Sequence, residues 1–486
     1  MTDTRHLLID GEHVPASGGR TTEDLNPWTG RPLSRIAAAT PADVTRAVDA
    51  AHAAFPAWTA TPPTTRRKIL NRAADLLEER AHEAATLMGA ETGGPFGWAM
   101  FNVGLATGML REAAALVSTP LGEVLATDNP DALALGIRQP AGVVAAFAPW
   151  NAPIILGTRA IATPLAVGNT VVVKASEDAP LIAAHYLADL LHEAGLPPGA
   201  LNVITNDRAD AAAIAETLIA DDRVRRVNFT GSTGVGRRIG ELAARHLTPA
   251  VLELGGKNSI LVLDDADLEY AVNAVAFGAY LNAGQICMSA DRILVHRSVA
   301  DEFTALLAAK AAALPAGDPS DPSTVVGPLI SESAARRVAG LVDEATAQGA
   351  KIAAGGGTPD RALYPATVLS GVEPHMRIHS EEIFGPVCTV LTVDDADQAV
   401  TIANDSPYGL TAGVITSDLS RGLDLARRLQ TGIVHINDQS VDDEPIAPFG
   451  GVKASGYGRF GGRAGIDAFT DLRWITLQQR PKHFPF

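Results

Sequence analysis

From about residue 140 onward, short β-branched runs alternate with stretches of helical period, and that alternation restricts the fold of this chain more than any other feature. Gly142–Phe147 and Thr170–Lys174 (TVVVK) read as buried strands. Ala179–Ala194 then places Leu181, Ile182, Ala184, Leu187, Leu190 and Leu191 at helical spacing and stops at Gly195 and Pro197. Leu201–Ile204 and Val224–Phe229 continue as strands, and Val235–Arg245 as a helix. A strand that returns to its sheet through a crossover helix must pair in parallel, so a doubly wound, nucleotide-binding α/β sheet is expected. A second series begins at Ser259–Leu263 and runs through Arg292–His296, Val387–Val393 and Gly432–Asn437, with helices over Asp301–Ala313 and Ala334–Gln348. At 486 residues the chain exceeds one ordinary core, which fits two such units joined near 250–258. Leu121–Arg138 and Trp474–Pro485 read as extended flanking segments. The alternation of Trp474, Ile475 and Leu477 suits a strand that pairs outside its own domain.

Charge narrows the partners. The net charge of −16, with no basic cluster, would repel a phosphate backbone, which excludes nucleic acid. Met1–Gly11 lacks the apolar core of a secretory signal, and no run approaches a membrane span, so a cytoplasmic protein is expected. Two cysteines make no disulfide framework, in keeping with a reducing compartment. The 12 histidines show no metal-ligand spacing, and no metal site is assigned.

Three segments invite chemistry. Phe229-Thr-Gly-Ser-Thr-Gly-Val-Gly236 lies between a predicted strand and a predicted helix, where backbone N–H groups and the helix N-terminus favour a phosphate. Its glycines at 231, 234, 236 and 240 do not match G-x-G-x-x-G, and on spacing alone a capped strand–helix turn explains it equally well. Glu253 follows Gly231 by 22 residues, about where an acid would grip a ribose in a dinucleotide fold. Its apolar setting, Ala250-Val-Leu-Glu-Leu254, speaks instead for a desolvated base. Cys287, in Asn282-Ala-Gly-Gln-Ile-Cys-Met-Ser289, has polar neighbours and is a nucleophile candidate, although a lone cysteine is as readily a small packed residue. Cys388 alternates with β-branched residues and reads as a packed strand thiol, and Lys257 and Lys453 beside Gly-Gly pairs read as structural.

The blocks Ala148-Pro-Trp-Asn-Ala-Pro153, Val172-Val-Lys-Ala-Ser-Glu177, Phe229–Thr233, Leu252-Glu-Leu-Gly-Gly-Lys257, Gly284-Gln-Ile-Cys287, Glu381-Glu-Ile-Phe-Gly-Pro386 and Pro448-Phe-Gly-Gly451 occur in an order that resembles the aldehyde dehydrogenase superfamily. The resemblance implies two Rossmann-like parallel-sheet domains and a small extended oligomerisation arm. It divides the chain into a cofactor domain over 1–118 and 139–252, a catalytic domain over 253–449, and an arm over 119–138 and 468–486. It makes Cys287 the nucleophilic thiol, Glu253 the base that activates the deacylating water, and Asn151 the oxyanion donor. It assigns Phe147, Trp150, Lys174, Ser176, Glu177, Gly231, Ser232, Leu254, Glu382 and Phe384 to the cofactor. Glu177 favours NAD over NADP, because a carboxylate accepts from ribose hydroxyls and repels a 2′-phosphate; NADP stays open. A homodimer or homotetramer is implied by the same resemblance.

Within the superfamily the likeness is to the vanillin, benzaldehyde and salicylaldehyde dehydrogenase branch, through Gly97-Trp-Ala-Met-Phe-Asn102, Met109-Leu-Arg-Glu-Ala113, Arg138-Gln-Pro140, Gly157-Thr-Arg-Ala-Ile161, Cys287-Met-Ser289 and Gly456-Tyr-Gly-Arg-Phe-Gly-Gly462. An aromatic aldehyde is the expected substrate, with Trp98, Ala152, Arg159, Ile286, Met288 and Phe449 lining its pocket. Arg159 either meets a phenolate or hydroxyl substituent or forms an ion pair. An aliphatic aldehyde or semialdehyde, an acyl transfer to CoA and a non-catalytic binding role are the competing expectations.

Overall fold

The structure, a computed structural model, describes residues 4–486; residues 1–3, which begin the segment read as free of a signal, lie outside the described residues. The first sheet has eight strands, in the order Gly456–Tyr457, Ala250–Glu253, Val224–Thr230, Val143–Ala148, Thr170–Ala175, Leu201–Ile204, Leu7–Ile9 and Glu12–Val14. The five strands from Ala250–Glu253 to Leu201–Ile204 are parallel, as the crossover argument requires. Chain order reverses between Val143–Ala148 and Val224–Thr230. A cleft opens beyond the carboxyl ends of the strands at such a reversal, because the crossover helices on its two sides depart to opposite faces.

The second sheet has seven strands, in the order Lys351–Ala354, Thr367–Ser370, Val387–Val393, Ala290–His296, Asn258–Val262, Thr411–Ile415 and Ile433–Ile436. All its pairings are parallel except that of the edge strand Lys351–Ala354. Glu253 ends a strand of the first sheet and Asn258 begins one of the second, so the expected junction at 250–258 contracts to residues 254–257. The carboxyl end of one sheet therefore runs straight into the amino end of the other. A third sheet pairs Thr470–Gln478 with Ala132–Pro140 over nine residues, and Ala132–Pro140 with Gly122–Leu125.

Some expectations need correction. The helix expected over Ala179–Ala194 opens with a π-helical turn, Leu181–His185, before Tyr186–Glu193 continues as α-helix. The Glu91 carboxylate accepts the Leu181 and Ile182 N–H groups at 2.6 and 2.8 Å and so holds that turn. The C-terminal strand stops at Gln478, short of Pro485. Four helices, Pro41–Ala60, Pro63–Glu79, Ala81–Thr92 and Phe96–Leu116, were not anticipated, nor was the interior strand Thr411–Ile415.

Candidate active site

Two adjoining cavities occupy the mouth of the first sheet. The outer one, about 670 Å3, is lined by Phe147, Trp150, Lys174, Ser176, Glu177 and Gly231 among others. The inner one, about 300 Å3, is lined by Asn151, Ser232, Glu253, Leu254, Cys287, Glu382 and Phe384. Pro149, Trp150, Thr230 and Gly231 border both. Every residue expected at the cofactor thus lines one continuous cleft that ends at Cys287.

The cleft can take a dinucleotide. Thr233–Arg245 begins at Ser232, whose hydroxyl accepts the Val235 N–H, so the helix presents its N-terminus to the switch point. A Cβ on Gly236 would stand 2.2 Å from Leu254 Cδ2, which explains why glycine is needed where helix and linker cross. Farther out, Lys174 is paired with Glu177, and Asn206 Nδ2 donates to Glu177 Oε1 at 2.9 Å. Burial works to raise the Glu177 pKa, yet the Lys174 charge and these hydrogen bonds outweigh it and hold the carboxylate below its ordinary range. An ionised acceptor faces the cleft there. Phe384 packs edge-on to Trp150 at 5.6 Å and has a left-handed backbone (φ 49°).

Cys287 lies on the segment leading into Ala290–His296, at the amino end of the second sheet. Asn282, Ala283 and Gly284 before it all have positive φ, a strained run that turns the chain back from Leu268–Tyr280. Gly284 has a second constraint, since a Cβ there would stand 2.1 Å from the Gly385 carbonyl oxygen. Asn258 Nδ2 donates to the carbonyls of Cys287 and Ser289 at 2.8 and 2.9 Å and fixes the segment's exit. The thiol is half-buried and carries no disulfide. Burial, followed by the nearby Glu253 and Glu382 charges, pushes its pKa up to about 12, so at rest it is a neutral thiol.

Asn151 is held from several sides. Its carbonyl oxygen accepts from Trp98 Nε1 at 3.2 Å and Asn282 Nδ2 at 3.0 Å. Its own Nδ2 donates to the Gln285 carbonyl at 3.0 Å, which leaves the second amide N–H uncommitted. Glu253 is 3 % exposed, and neither carboxylate oxygen has a hydrogen-bond partner. Burial drives its pKa well above the ordinary carboxylate value, opposed more weakly by the Arg159 and Arg459 charges and the approach of the Gly451 N–H.

Trp98, Ala152, Ile286, Met288 and Phe449 do not border the inner cavity. They share a buried apolar cluster against which Cys287 and Trp150 pack. Arg159 follows the second of its two expected courses. Its guanidinium pairs with Asp443, both side chains being 6 % exposed, and lies 4.1 Å from the centre of the Phe449 ring. Its charge is therefore already answered, which weakens the expected contact to a substrate phenolate. Cys388 is buried, 3.4 Å from the Tyr280 hydroxyl. Lys257 pairs with Asp291 at 3.1 Å, and Lys453 donates to the Asn404 carbonyl at 2.9 Å. Sequence reasoning missed Arg337, which lines the inner cavity and donates to the Ile383 carbonyl at 2.5 Å, and it missed Asp443. Neither carries a local signal: one sits on the amphipathic helix Glu332–Ala347 and the other in an acidic loop.

Residues 13–475 match the profile of the aldehyde dehydrogenase family. The chain is 55 % identical to a vanillin dehydrogenase of Pseudomonas fluorescens over 479 residues, 99 % of both chains. It is 41 % identical to a benzaldehyde dehydrogenase [NAD(+)] of Pseudomonas putida over 480 residues, covering 99 % of this chain and 97 % of that one. The crystal structure of a salicylaldehyde dehydrogenase from Pseudomonas putida G7, complexed with salicylaldehyde, superposes with a TM-score of 0.97 at 41 % identity, covering all of both chains.

Proposed function

The chain belongs to the aldehyde dehydrogenase family, and from that premise we propose that it oxidises an aromatic aldehyde of the vanillin, benzaldehyde or salicylaldehyde type to its carboxylic acid, with NAD as the hydride acceptor. One observation carries the mechanism: Cys287, Asn151 and Glu253 converge where the dinucleotide-sized cleft ends. The Cys287 sulfur attacks the aldehyde carbonyl as its proton leaves through the cleft to solvent. The resulting alkoxide is met by the free Asn151 amide N–H and the Cys287 backbone N–H, which stabilise charge only as it develops. The nicotinamide ring supplies a hydride acceptor when the cofactor is bound. Loss of hydride leaves a thioester on Cys287; the Glu253 carboxylate then takes a proton from water as that water attacks the acyl carbon, and the C–S bond breaks to release the acid and return the sulfur, which regains a proton.

Glu177 supports NAD, since an ionised carboxylate accepts from both ribose hydroxyls and would repel a 2′-phosphate. The apolar cluster of Trp98, Ala152, Ile286, Met288 and Phe449 packs behind Cys287 and Trp150, which supports an apolar setting for a ring beside the thiol. A panel of aldehydes with NAD, read as NADH formation, tests the substrate class. Aromatic aldehydes should exceed short aliphatic ones in kcat/KM by about tenfold or more, from one or two kcal/mol of added apolar contact. An aliphatic aldehyde at the head of the panel would overturn the assignment.

Sheet membership supports the division into a cofactor unit over 1–118 and 139–252, a catalytic unit over 253–449 and an arm over 119–138 and 468–486. The arm exposes Trp474 (74 %), Leu472 (63 %) and Val124 (70 %). Exposed apolar side chains on a free-edged sheet support burial against further copies of the chain, as a homodimer or homotetramer. Trp474→Glu combined with Leu472→Glu should shift sedimentation from the oligomer to the monomer. An unchanged boundary would remove the arm from the interface. No helix among the described residues is long and apolar enough to cross a membrane. The two free cysteines support a reducing cytoplasmic setting.

A further inference from the structure

The Arg159–Asp443 pair is almost fully buried, and no step of the reaction described above uses it. A buried ion pair is a poor source of stability, because desolvation offsets most of its attraction. Its location is specific. A Cβ on Gly450 would stand 2.7 Å from Glu253 Oε1, so the Phe449–Gly450 backbone lies directly against the carboxylate. Arg159 lies over the Phe449 ring and so borders the same dipeptide. The second ring near it, Phe460, is 5.9 Å away.

A guanidinium that borders the dipeptide packed against a desolvated carboxylate has two possible effects. Unopposed, it would collapse onto Glu253 and hold it as a salt bridge, useless as a base. Held back, it still lends the ionised carboxylate a favourable charge across a medium of low dielectric. Asp443 and the face of Phe449 hold it back. The other groups facing Glu253 are Arg459, tied to the Gly451 and Gly458 carbonyls at 2.7 and 2.6 Å, and the Cys287 thiol. We infer that Arg159 and Asp443 are positioning residues, a matched charge pair that keeps Glu253 free of a salt bridge yet ionisable enough to accept a proton. The inference rests on the reading of Glu253 as the deacylation base. The two charges act on Glu253 with opposite signs, Arg159 favouring the carboxylate and Asp443 disfavouring it, and Arg159 has the larger influence.

Opposite signs give a test that a merely structural role would not pass. The steady-state pH profile of kcat is measured with benzaldehyde and NAD for Arg159→Met, Arg159→Lys and Asp443→Asn. Losing the cation raises the Glu253 pKa, so Arg159→Met should move the acid limb up by about one pH unit. Losing the anion lowers it, so Asp443→Asn should move the limb down, by less than the Arg159→Met shift, and depress the kcat plateau as the freed guanidinium pairs with Glu253. Arg159→Lys should restore most of the wild-type position. Limbs that move in the same direction, or do not move, overturn the inference. If Arg159→Met does not fold, Asp443→Asn against Arg159→Lys decides alone: the first must shift down and the second must stay. Glu253→Gln separates the two levels. If it turns over at the wild-type rate, the reading of Glu253 as base fails; if it stalls while the limbs stay fixed, only the charge-pair inference fails.

Discussion

Cys287→Ala forms no NADH with any aldehyde of the panel, a loss in kcat on the order of 10^4-fold or more, because no covalent route remains. The size follows from the chemistry. An aldehyde holds its hydrogen on an sp2 carbon and cannot expel hydride until a nucleophile has made that carbon tetrahedral. No second thiol can substitute: Cys388 is buried in the core of the second sheet, against Tyr280. The variant should keep its fold, since Cys287 is only half-buried and its segment is fixed through backbone carbonyls bonded to Asn258. Cofactor binding, followed as quenching of tryptophan fluorescence, should survive, because the Lys174–Glu177 and Gly231 end of the cleft is untouched. Sustained NADH formation by the alanine variant would remove the thiohemiacetal route.

Glu253→Gln should give a different failure. Rapid mixing with NAD and aldehyde should release at most about one NADH per subunit, after which turnover falls on the order of 10^2- to 10^4-fold as the thioester waits for unassisted water. Gln fills the same volume and cannot take a proton. The wild-type profile carries the sign of the effect. Burial raises the Glu253 pKa in the folded enzyme, so the base is present above that raised value and lost as pH falls through it. The acid limb of kcat should therefore lie well above the ordinary carboxylate range, and in Glu253→Gln it should disappear. A steady rate equal to wild type without a burst would assign the base elsewhere.

How much of this was legible in the sequence depended on whether the signal was local. The parallel strands around Val143–Ala148 and Thr170–Ala175 were legible because burial on both faces makes near-continuous apolar runs. Thr411–Ile415 carries little local signal because Ala412 and Gly413 interrupt its β-branched residues; its place between two neighbours makes it a strand. The helix Pro41–Ala60 is rich in Ala, Phe96–Leu116 in Ala and Gly, and both are weakly amphipathic, so their buried faces lack a clear period. Cys287 and Glu253 could be named from their blocks and context, but their meeting could not, since it depends on the linker 254–257 joining opposite ends of two sheets. Arg159 was legible only as a charge out of place. That Asp443 answers it is a contact between residues 284 positions apart, and no local pattern encodes such a pairing.

The junction of the two sheets has a consequence for the order in which a newly made chain becomes reactive. Glu253 ends a strand whose outer edge is paired by Gly456–Tyr457, and Leu254 is tied to the Ser455 carbonyl. Cys287, by contrast, belongs to a segment laid against the second sheet. The base is thus locked by residues 455–457, which are synthesised after the thiol. A chain that has not yet reached them carries both the sulfur and Glu253, but with the strand that holds the carboxylate still unpaired at its outer edge. The assembled site therefore waits for Gly456–Tyr457 to return to the edge of the first sheet.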